Sequence, residues 1–495
     1  MLVANRGEIA VRVIRACRRV DAEAIAVYSH ADRGAPHVGL AHRAVEIGEA
    51  PAGESYLSIE RILAAARKTD ADAVHPGYGF LAENAEFAEA VTAAGMTWVG
   101  PPPGAIRAMG EKTTARRRME EAGVPVVPGT AEPLAGLDEA RARAAEIGYP
   151  VLLKAVAGGG GRGMRRVEEE AGLEAALRSA RGEAESAFGD PAVYLEKYVP
   201  EARHIEIQVF ADRDGRTVHL GERECSLQRR HQKVLEEAPA PGLDRATRVR
   251  MGAEAVKAAR AVGYEGAGTV EFLLERDGAF WFLEMNTRIQ VEHPVTEMVS
   301  GIDLVALQLR VAAGESLRLE QPDVELRGHA IECRIVAEDP AAGFRPVTGT
   351  ITGYRPPGGP GIRFDSGVEG GVVVSPHYDP LLAKCIAWGR TREDALARMR
   401  VALAETVIEG ITTNLSLQRA LLDEPDVVAG RVHTRWLEQN LAAILCRMSE
   451  ERQPDEPLAA ALAAWSNHVE GRTRPPAGDG GRIAGWREGS WVWYR

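Results

Sequence analysis

Apolar residues in the first part of the chain come in short runs that alternate with longer segments of helical periodicity. Runs such as LVA, AEAIAVYS, DAVHPG and WVG are separated by segments such as EIAVRVIRACRRV, SIERILAAARK and NAEFAEAVTAAG. This alternation is typical of a doubly wound parallel sheet covered by helices. We therefore predict an N-terminal α/β domain over residues 1–112. Because its first strand, LVA, is unusually short, we expect the natural start to lie upstream.

Residues 113–203 predict a small unit built around a glycine-rich loop. The helical segment DEARARAAEIG leads into the apolar strand PVLLKAV, and another strand, VYLEKYV, follows the loop. The segment RRVEEE directly after the loop predicts the return strand of a hairpin.

Beyond residue 204 the pattern changes to alternating apolar and polar positions, which predicts antiparallel strands. The segments HIEIQVFAD, TVHLGERECS, GTVEFLLE and AFWFLEMN follow this pattern. We predict a β-rich unit over residues 204–446, with helices returning near residues 381–423. The polar segment ERQPDEP begins a linker and a Trp-rich tail over residues 447–495.

The composition excludes several classes of protein. The formal net charge is -11, and no long basic run interrupts it, so we expect no nucleic-acid partner. No uncharged apolar stretch reaches the roughly 18 residues of a membrane span, and no signal peptide is recognisable. The five cysteines are scattered without a zinc-like spacing, which favours a reducing, cytoplasmic location.

The loop at residues 158–164, GGGGRGM, formally matches the G-x-G-x-x-G pattern of dinucleotide-binding proteins. In those proteins the motif opens a helix, whereas here a strand is predicted to follow. We expect the loop to lay its backbone N–H groups over phosphates instead. A plain hairpin turn is the alternative.

Two lysines are candidates for phosphate binding. The segment GAIRAMGEKT at residues 104–113 fails the spacing of a P-loop, but Lys112 can still reach a nucleotide. Lys154 lies within the apolar run PVLLKAV, where its charge needs an anionic partner that a phosphate would supply. Glu196 and Lys197 follow another strand, at a hinge where backbone groups could hold an adenine. The alternative for each lysine is a solvated surface position.

Carboxylates suited to a divalent cation follow further along the chain. Glu271 and Glu284 lie on neighbouring predicted strands, at positions that can face the same side, and Asn286 comes two residues later. Hard oxygen ligands of this kind bind Mg²⁺ or Mn²⁺. The alternative is a pair of strand carboxylates with structural partners.

The segment RIQVEHP directly after these carboxylates combines a guanidinium, an amide and a carboxylate. Arg288 presents paired donors that match a small planar oxyanion, and Glu292 could remove a proton from it. The basic segment RRHQK at residues 229–233 either lines the same cavity or forms a solvated turn.

Several long motifs together resemble the biotin carboxylase family. They are ANRGEIAVR, HPGYGFLAEN, the GGGGRGM loop, ERECSLQRRHQKVLEEAP, FLEMNTRIQVEHPVTE and PHYDPLLAKCIAWG. They occur in order and cover residues 2–446. The resemblance implies an ATP-grasp fold, with a lid and a core between the N-terminal α/β domain and a C-terminal β-rich and helical unit.

The resemblance also implies the roles of the site residues. ATP would contact Lys112, Lys154, Gly159, Gly160, Gly161, Gly163, Met164, Glu196, Lys197, His204, Gln228 and His231. Mg²⁺ (or Mn²⁺) would be held by Glu271, Glu284 and Asn286. The catalytic residues around bicarbonate and biotin would be Lys233, Arg288, Glu292 and Arg334, with Gln290, Val291, Tyr78 and Asp379 placing the two substrates.

The implied reaction is ATP- and bicarbonate-dependent carboxylation of biotin through carboxyphosphate, the first half-reaction of an acyl-CoA carboxylase. No Met-Lys-Met biotin-attachment motif occurs in the sequence, so biotin would come on a separate carrier, or the chain is a fragment of a longer subunit. The resemblance further implies a carboxyltransferase partner and a homodimer or larger assembly. The alternatives are another ATP-grasp ligase that makes an acyl phosphate, and a non-catalytic scaffold that docks partners through the Trp-rich tail.

Overall fold

The structure, a computed structural model, describes residues 1–130, 132–156 and 164–452. The predicted nucleotide-binding residues Gly159, Gly160, Gly161 and Gly163 lie outside the described residues, as does the Trp-rich tail. Residues 1–444 form one compact unit by their contacts. The domain boundaries at residues 112, 203 and 446 stay predictions.

The N-terminal segment forms the predicted parallel sheet, with strand order β3-β2-β1-β4-β5. Its elements are β1 (Leu2–Val3), α1 (Gly7–Arg19), β2 (Ile25–Ser29), α2 (Pro36–Leu40), β3 (Arg43–Gly48), α3 (Ile59–Lys68), β4 (Ala73–His75), α4 (Ala85–Ala93) and β5 (Thr97–Trp98). The short strand β1 lies at the centre, where Leu2 and Val3 are fully buried. At its carboxyl end Asn5 donates hydrogen bonds to the carbonyls of Pro76 and Tyr78, both at 2.7 Å, and so joins the turns after β1 and β4.

Two helices lead into a small antiparallel sheet. The elements are α5 (Pro103–Gly110), α6 (Lys112–Glu121), α7 (Leu137–Ile147), β6 (Val151–Ala155), β7 (Arg165–Val167), α8 (Leu173–Phe188) and β8 (Val193–Lys197). Strand β6 pairs with β7 on one side and with β8 on the other. The return strand predicted after the glycine-rich loop is thereby confirmed.

An eight-stranded sheet forms the centre of the molecule, and its order is β13-β12-β9-β10-β11-β14-β21-β19, in which β19 spans Ile362–Ser366 and β21 spans Leu381–Gly389. Its first elements are β9 (Arg203–Ala211), β10 (Thr217–Arg229), β11 (Gln232–Ala238), α9 (Arg245–Ala261), β12 (Gly266–Leu274), β13 (Phe280–Asn286), α10 (His293–Ser300), α11 (Leu304–Ala312) and β14 (His329–Val336). The predicted antiparallel pairing of β9, β10, β12 and β13 is confirmed.

The alternation in β9 decides which face of the sheet carries the chemistry. Ile205, Ile207 and Val209 share a core with Met251 and Ala255 of α9. Since successive side chains of a strand point to opposite faces, the intervening positions 204, 206 and 208 share the other face. Polar side chains therefore line one side of the central sheet.

The remaining elements complete this sheet and cover it. They are β15 (Glu338–Asp339), β16 (Arg345–Pro346), β17 (Gly349–Thr350), β18 (Gly353–Arg355), β19 (Ile362–Ser366), β20 (Val373–Val374), β21 (Leu381–Gly389), α12 (Arg392–Glu405), β22 (Val407–Glu409), α13 (Leu415–Asp423), α14 (Pro425–Val428) and α15 (Trp436–Arg452). Among the described helices, none has the length and apolar character required to cross a membrane.

The prediction that helices return from residue 381 is wrong for Leu381–Gly389, which form strand β21. This strand lies between β14 and β19, and α12 packs against it. It is therefore buried along most of its length and lacks the alternation that marks a half-exposed strand. The predicted helices begin only at Arg392 and Leu415.

Candidate functional site

Four charged side chains form a row across neighbouring strands of the central sheet. Arg223 on β10 is directly opposite Glu206 on β9, Glu206 is opposite Glu271 on β12, and Glu271 is opposite Glu284 on β13. Directly opposite residues point to the same face. The predicted common face of Glu271 and Glu284 is therefore confirmed, and the row adds Arg223 and Glu206, which the sequence analysis missed.

The fully buried Arg223 holds this part of the site together. Its guanidinium donates hydrogen bonds to five side chains, which are Glu206, Gln208 (2.7 Å), Gln290 (2.8 Å), Thr296 (2.9 Å) and Thr269 (3.1 Å). The carboxylate of Glu206 balances its charge. Arg223 thereby fixes Gln290, one of the predicted substrate-binding residues.

We expect Arg223→Met to destabilise the protein by about 3–5 kcal/mol, because it removes one partner of a fully buried ion pair. Urea unfolding would measure the loss. The matched control is Arg216→Met, since the Arg216–Glu320 pair is solvent-exposed and should change stability by at most about 0.5 kcal/mol. Similar losses for the two variants would contradict the structural role of Arg223.

Lys233 lies at the meeting point of three carboxylates. Its Nζ is 2.6 Å from Glu206 Oε2 and 3.2 Å from Glu271 Oε1, and it also contacts Glu292. Burial alone would lower the pKa of Lys233, but the surrounding carboxylates raise that pKa well above its ordinary value. Lys233 is therefore a fixed positive charge at neutral pH.

Glu292 is held between two cations. One carboxylate oxygen contacts Lys233, and the other accepts a hydrogen bond from Arg334 Nη2 at 3.0 Å. Burial alone would raise the pKa of Glu292, but Lys233, Arg334 and Arg223 together lower it well below its usual value. Glu292 is thus ionised, which is the form that a general base requires.

Glu271, Glu284 and Asn286 offer hard oxygen atoms at one end of the row. The Nδ2 group of Asn286 donates to Glu271 at 3.0 Å. Desolvation on the cavity wall and the charge of Glu271 raise the pKa of Glu284, and the charges of Lys112 and Lys154 oppose this shift. Two neighbouring carboxylates that line a cavity fit a site for a divalent cation.

Lys154 and Glu196 form an ion pair at the nucleotide end of the predicted site, with Nζ and Oε2 2.9 Å apart. The anionic partner that Lys154 requires is thus supplied by the protein itself. Burial and the neighbouring charge of Lys154 lower the pKa of Lys112. Two lysines held this close favour an anionic ligand.

The Nζ of Lys197 donates to the carbonyls of Gly148 (2.8 Å) and Tyr149 (3.1 Å).

Arg288 is oriented by two neighbours. Its Nε donates to Glu83 at 3.0 Å, and its Nη2 donates to Asn286 Oδ1 at 2.8 Å. The backbone carbonyl of Val291 accepts a hydrogen bond from the buried Lys384 at 2.8 Å. These three hydrogen bonds stabilise the segment that carries Glu292.

Tyr78 and His231 reach the site from loops. The hydroxyl of Tyr78 donates to Glu8, whose other oxygen is 3.1 Å from Lys384 Nζ. Arg230 and His231 have positive φ angles of 48° and 65° and form the tight turn between β10 and β11. The basic segment RRHQK is therefore a hairpin turn, and Arg229, His231, Gln232 and Lys233 also line the cavity.

Every described residue of the predicted site lines one cavity of 760 Å³. These residues are Tyr78, Lys112, Lys154, Met164, Glu196, Lys197, His204, Gln228, His231, Lys233, Glu271, Glu284, Asn286, Arg288, Gln290, Val291, Glu292, Arg334 and Asp379. The apolar side chains of Val127, Leu152, Leu273 and Leu283 line it as well. The cavity thus combines apolar walls, lysines, arginines and a row of carboxylates.

Three family models match the chain in succession. Residues 1–106 match "Biotin carboxylase, N-terminal domain", residues 111–320 match "Carbamoyl-phosphate synthase L chain, ATP binding domain", and residues 332–439 match "Biotin carboxylase C-terminal domain". Together the models extend over most of the described chain.

Individual proteins agree with these matches. The chain is 53% identical to the biotin carboxylase of Nostoc sp. over 439 residues, which cover 89% of this chain and 98% of the relative. It is 52% identical to the biotin carboxylase of Pseudomonas aeruginosa over 442 residues, covering 89% and 98% of the two chains.

A solved structure shares both the fold and the sequence pattern. It is the dimer of the biotin carboxylase domain of Hydrogenobacter thermophilus 2-oxoglutarate carboxylase in complex with MgADP, ADP and bicarbonate. The TM-score is 0.86 at 47% sequence identity, and the match covers 90% of this chain and 98% of the other. From these matches and the cavity that gathers the predicted site, the chain belongs to the biotin carboxylase family.

Proposed function

We propose that this protein uses ATP and bicarbonate to carboxylate biotin, as the first half-reaction of a biotin-dependent carboxylase. The observation that carries the proposal is the position of ionised Glu292 between Lys233 and Arg334, on the wall of the cavity that also contains Lys112 and Lys154. A base between two cations suits a small acid that must lose a proton and remain bound as an anion.

ATP would occupy the end of the cavity with the apolar walls and the lysine pair. In this assignment the phosphates contact Lys112, Lys154 and His204. The adenine lies near the hinge at Glu196 and Lys197, and Met164, Gln228 and His231 complete the contacts. Phosphate oxygens would compete with Glu196 for Lys154, so nucleotide binding should rearrange the Lys154–Glu196 pair.

Bicarbonate would bind beside Lys233, Arg288, Gln290 and the backbone of Val291. Glu292 takes its proton, and a bicarbonate oxygen attacks the γ-phosphorus of ATP while the bond to ADP breaks. An anion bound next to Lys233 and Arg334 draws on the same positive charges and makes Glu292 a stronger base than it is in the empty cavity.

The product of this attack is carboxyphosphate, which breaks to CO₂ and phosphate. The phosphate takes the proton from N1 of biotin, and N1 attacks CO₂ to form carboxybiotin. Arg334 stabilises the negative charge on the ureido oxygen, while Tyr78 and Asp379 place the ring. Because carboxyphosphate reacts with water, the reaction requires that water be excluded from the cavity.

Glu271, Glu284 and Asn286 are the residues that would hold Mg²⁺, and Mn²⁺ would fit the same oxygen ligands. Bound there, the ion would offset negative charge on the phosphates. A second acidic group, His204, Glu206 and Glu271, has ligand atoms within 4.8 Å of one another, but the ammonium of Lys233 already lies between Glu206 and Glu271. We therefore assign the cation to the Glu284 side of the row.

A biotin carboxyl carrier protein or domain would deliver the biotin, and a carboxyltransferase would consume the carboxybiotin in the cytoplasm. We also propose a homodimer, supported by the likeness to the dimeric Hydrogenobacter domain.

An assay of ADP release tests this function directly. With Mg²⁺, ATP and bicarbonate, we expect slow ADP release that free biotin accelerates, together with carboxybiotin detected by mass spectrometry. Omission of bicarbonate is the control and should abolish the effect of biotin. ADP release that depends on neither bicarbonate nor biotin would overturn the proposal and favour another ATP-grasp ligase. No turnover of ATP would favour the scaffold.

A further inference from the structure

Two glutamates lie side by side near Arg334, and neither of them lines the cavity. Glu236 on β11 is directly opposite Glu332 on β14 in an antiparallel ladder. Directly opposite positions place both side chains on the same face, with Cβ atoms about 5 Å apart. Both residues are 0% exposed. Two carboxyl groups therefore share one small space from which water is excluded.

Their hydrogen bonds are incomplete. One oxygen of Glu236 accepts from Arg334 Nε at 2.6 Å, whereas its Oε2 has no partner. Both carboxylate oxygens of Glu332 are buried without a partner in the described part of the chain. A buried ionised carboxylate without hydrogen bonds costs several kcal/mol. The arrangement therefore disfavours ionisation of both groups.

The cations that face the pair already have anionic partners of their own. Arg334 is also bound to Glu292, and Lys384 on β21 is 3.1 Å from Glu8. Lys233 on the same strand as Glu236 is surrounded by Glu206, Glu271 and Glu292. The neighbouring Cys225 on β10 is neutral, because burial raises the pKa of its thiol. Negative charge is thus in excess around the pair.

The excess of negative charge and the burial raise the pKa values of both glutamates. Burial raises the pKa of Glu332 well above its ordinary value, and the favourable charge of Lys384 does not offset it. Burial also raises the pKa of Glu236 to about 7, with Glu292 adding to the shift and Arg334 opposing it. At slightly alkaline pH the pair accordingly carries one proton.

We propose that Glu332 remains a neutral acid and that Glu236 and Glu332 act together as a singly charged carboxyl pair that positions Arg334 for biotin. This inference rests on the proposed function, because the two glutamates affect biotin only through Arg334. Glu236 binds Nε of the guanidinium, and Nη2 contacts both Glu236 and Glu292, so that Glu236 fixes the orientation in which Arg334 is shared between the base and the ureido oxygen. Both glutamates are positioning residues.

A dependence on pH follows from the pair. When pH falls through the pKa of Glu236, near 7, its carboxylate becomes neutral and no longer holds Arg334 by charge. Arg334 then pairs with Glu292 alone. We expect kcat/KM for biotin to fall across this pH range, while KM for ATP changes little.

Paired substitutions test the proposal with biotin-dependent and biotin-independent rates measured side by side. Glu236→Gln should lower kcat/KM for biotin by about tenfold or more at pH 8, leave KM for ATP within about twofold, and abolish the inflection near pH 7. Glu332→Gln imitates the neutral acid, so it should retain most of kcat/KM for biotin and keep the inflection near pH 7.

The matched control is Glu237→Gln, the next residue on β11. Glu237 is equally buried, but it pairs with Arg392 (2.7 Å) and His329 (2.6 Å) and does not line the cavity. This variant should lose stability without a change in the biotin pH profile. If the pair had only a structural role, Glu236→Gln and Glu237→Gln would both lose stability and would have the same pH profile for biotin.

Unchanged kcat/KM for biotin and an unchanged pH profile in Glu236→Gln would overturn the proposal. If that variant does not fold, Glu332→Gln decides by itself, since a tenfold or larger loss of kcat/KM for biotin, or loss of the inflection near pH 7, would show that Glu332 does not act as a neutral acid. Failure of wild-type protein to make carboxybiotin would instead refute the proposed function, so the two failures are distinguishable.

Discussion

Glu292→Gln should lower bicarbonate-dependent ADP release by about a thousandfold, within the range expected for loss of a general base. The amide has nearly the shape of the carboxylate but cannot accept a proton from bicarbonate. It also leaves Lys233 and Arg334 without the anion that they share. Steady-state ADP release at saturating ATP and bicarbonate would measure the effect.

A buried glutamate on the adjoining helix provides the control for this substitution. Glu297 is ion-paired with Arg12 and Arg363, both at 2.7 Å, and does not line the cavity. Glu297→Gln should therefore reduce stability but keep ADP release within a few-fold of the wild-type rate. If Glu292→Gln kept more than about a tenth of the wild-type rate, its assignment as the base would be wrong.

Arg334→Ala should separate the two halves of the reaction. We expect carboxylation of biotin to fall by about a hundredfold or more, the usual effect of removing a group that stabilises an oxyanion. Bicarbonate-dependent ATP hydrolysis without biotin should fall less, because Lys233 still contacts Glu292. Parallel assays of carboxybiotin formation and biotin-independent ADP release would measure the difference.

Arg392→Ala is the matched control, since Arg392 also holds a buried glutamate of β11 but lies outside the cavity lining. We expect it to affect stability and to leave the ratio of carboxylation to ATP hydrolysis near that of the wild type. Equal losses of both activities in Arg334→Ala would contradict the role assigned to this residue.

The part of the site that follows local alternation was predictable from the sequence. In HIEIQVF and GTVEFLLE polar residues alternate with apolar ones through most of the segment. This pattern alone predicts strands with one apolar face and one polar face. The position of Glu271 directly opposite Glu284 then follows from the pairing of the consecutive strands β12 and β13. The motif after them, RIQVEHP, adds its side chains to the same cavity because it directly follows β13.

Contacts that depend on distant strand pairing were not predictable. Glu196 became the partner of Lys154 because β6 and β8 pair with Leu152 opposite Glu196, and a register of this kind has no local signal. The pairing of β11 with β14 likewise brings Glu236 to Glu332 across a long intervening segment. Arg223 was overlooked because a single arginine in a strand is usually solvent-exposed.

The error at Leu381–Gly389 has a related cause. The segment LLAKCIAWG contains a single charged residue, Lys384, and otherwise consists of small and apolar side chains. Short apolar runs do not distinguish a buried strand from a buried helix. Only its place inside the eight-stranded sheet, between β14 and β19, shows that the segment is a strand.

The central claim is that a bicarbonate oxygen, activated by Glu292, attacks the γ-phosphorus of ATP in this cavity. Bicarbonate labelled with oxygen-18, used before it exchanges with water, tests the claim most directly. The account predicts that released phosphate carries one label, because the bridging oxygen of carboxyphosphate stays with phosphorus when CO₂ departs. Unlabelled phosphate, formed at the same rate as ADP, would show that water attacks ATP and would contradict the account.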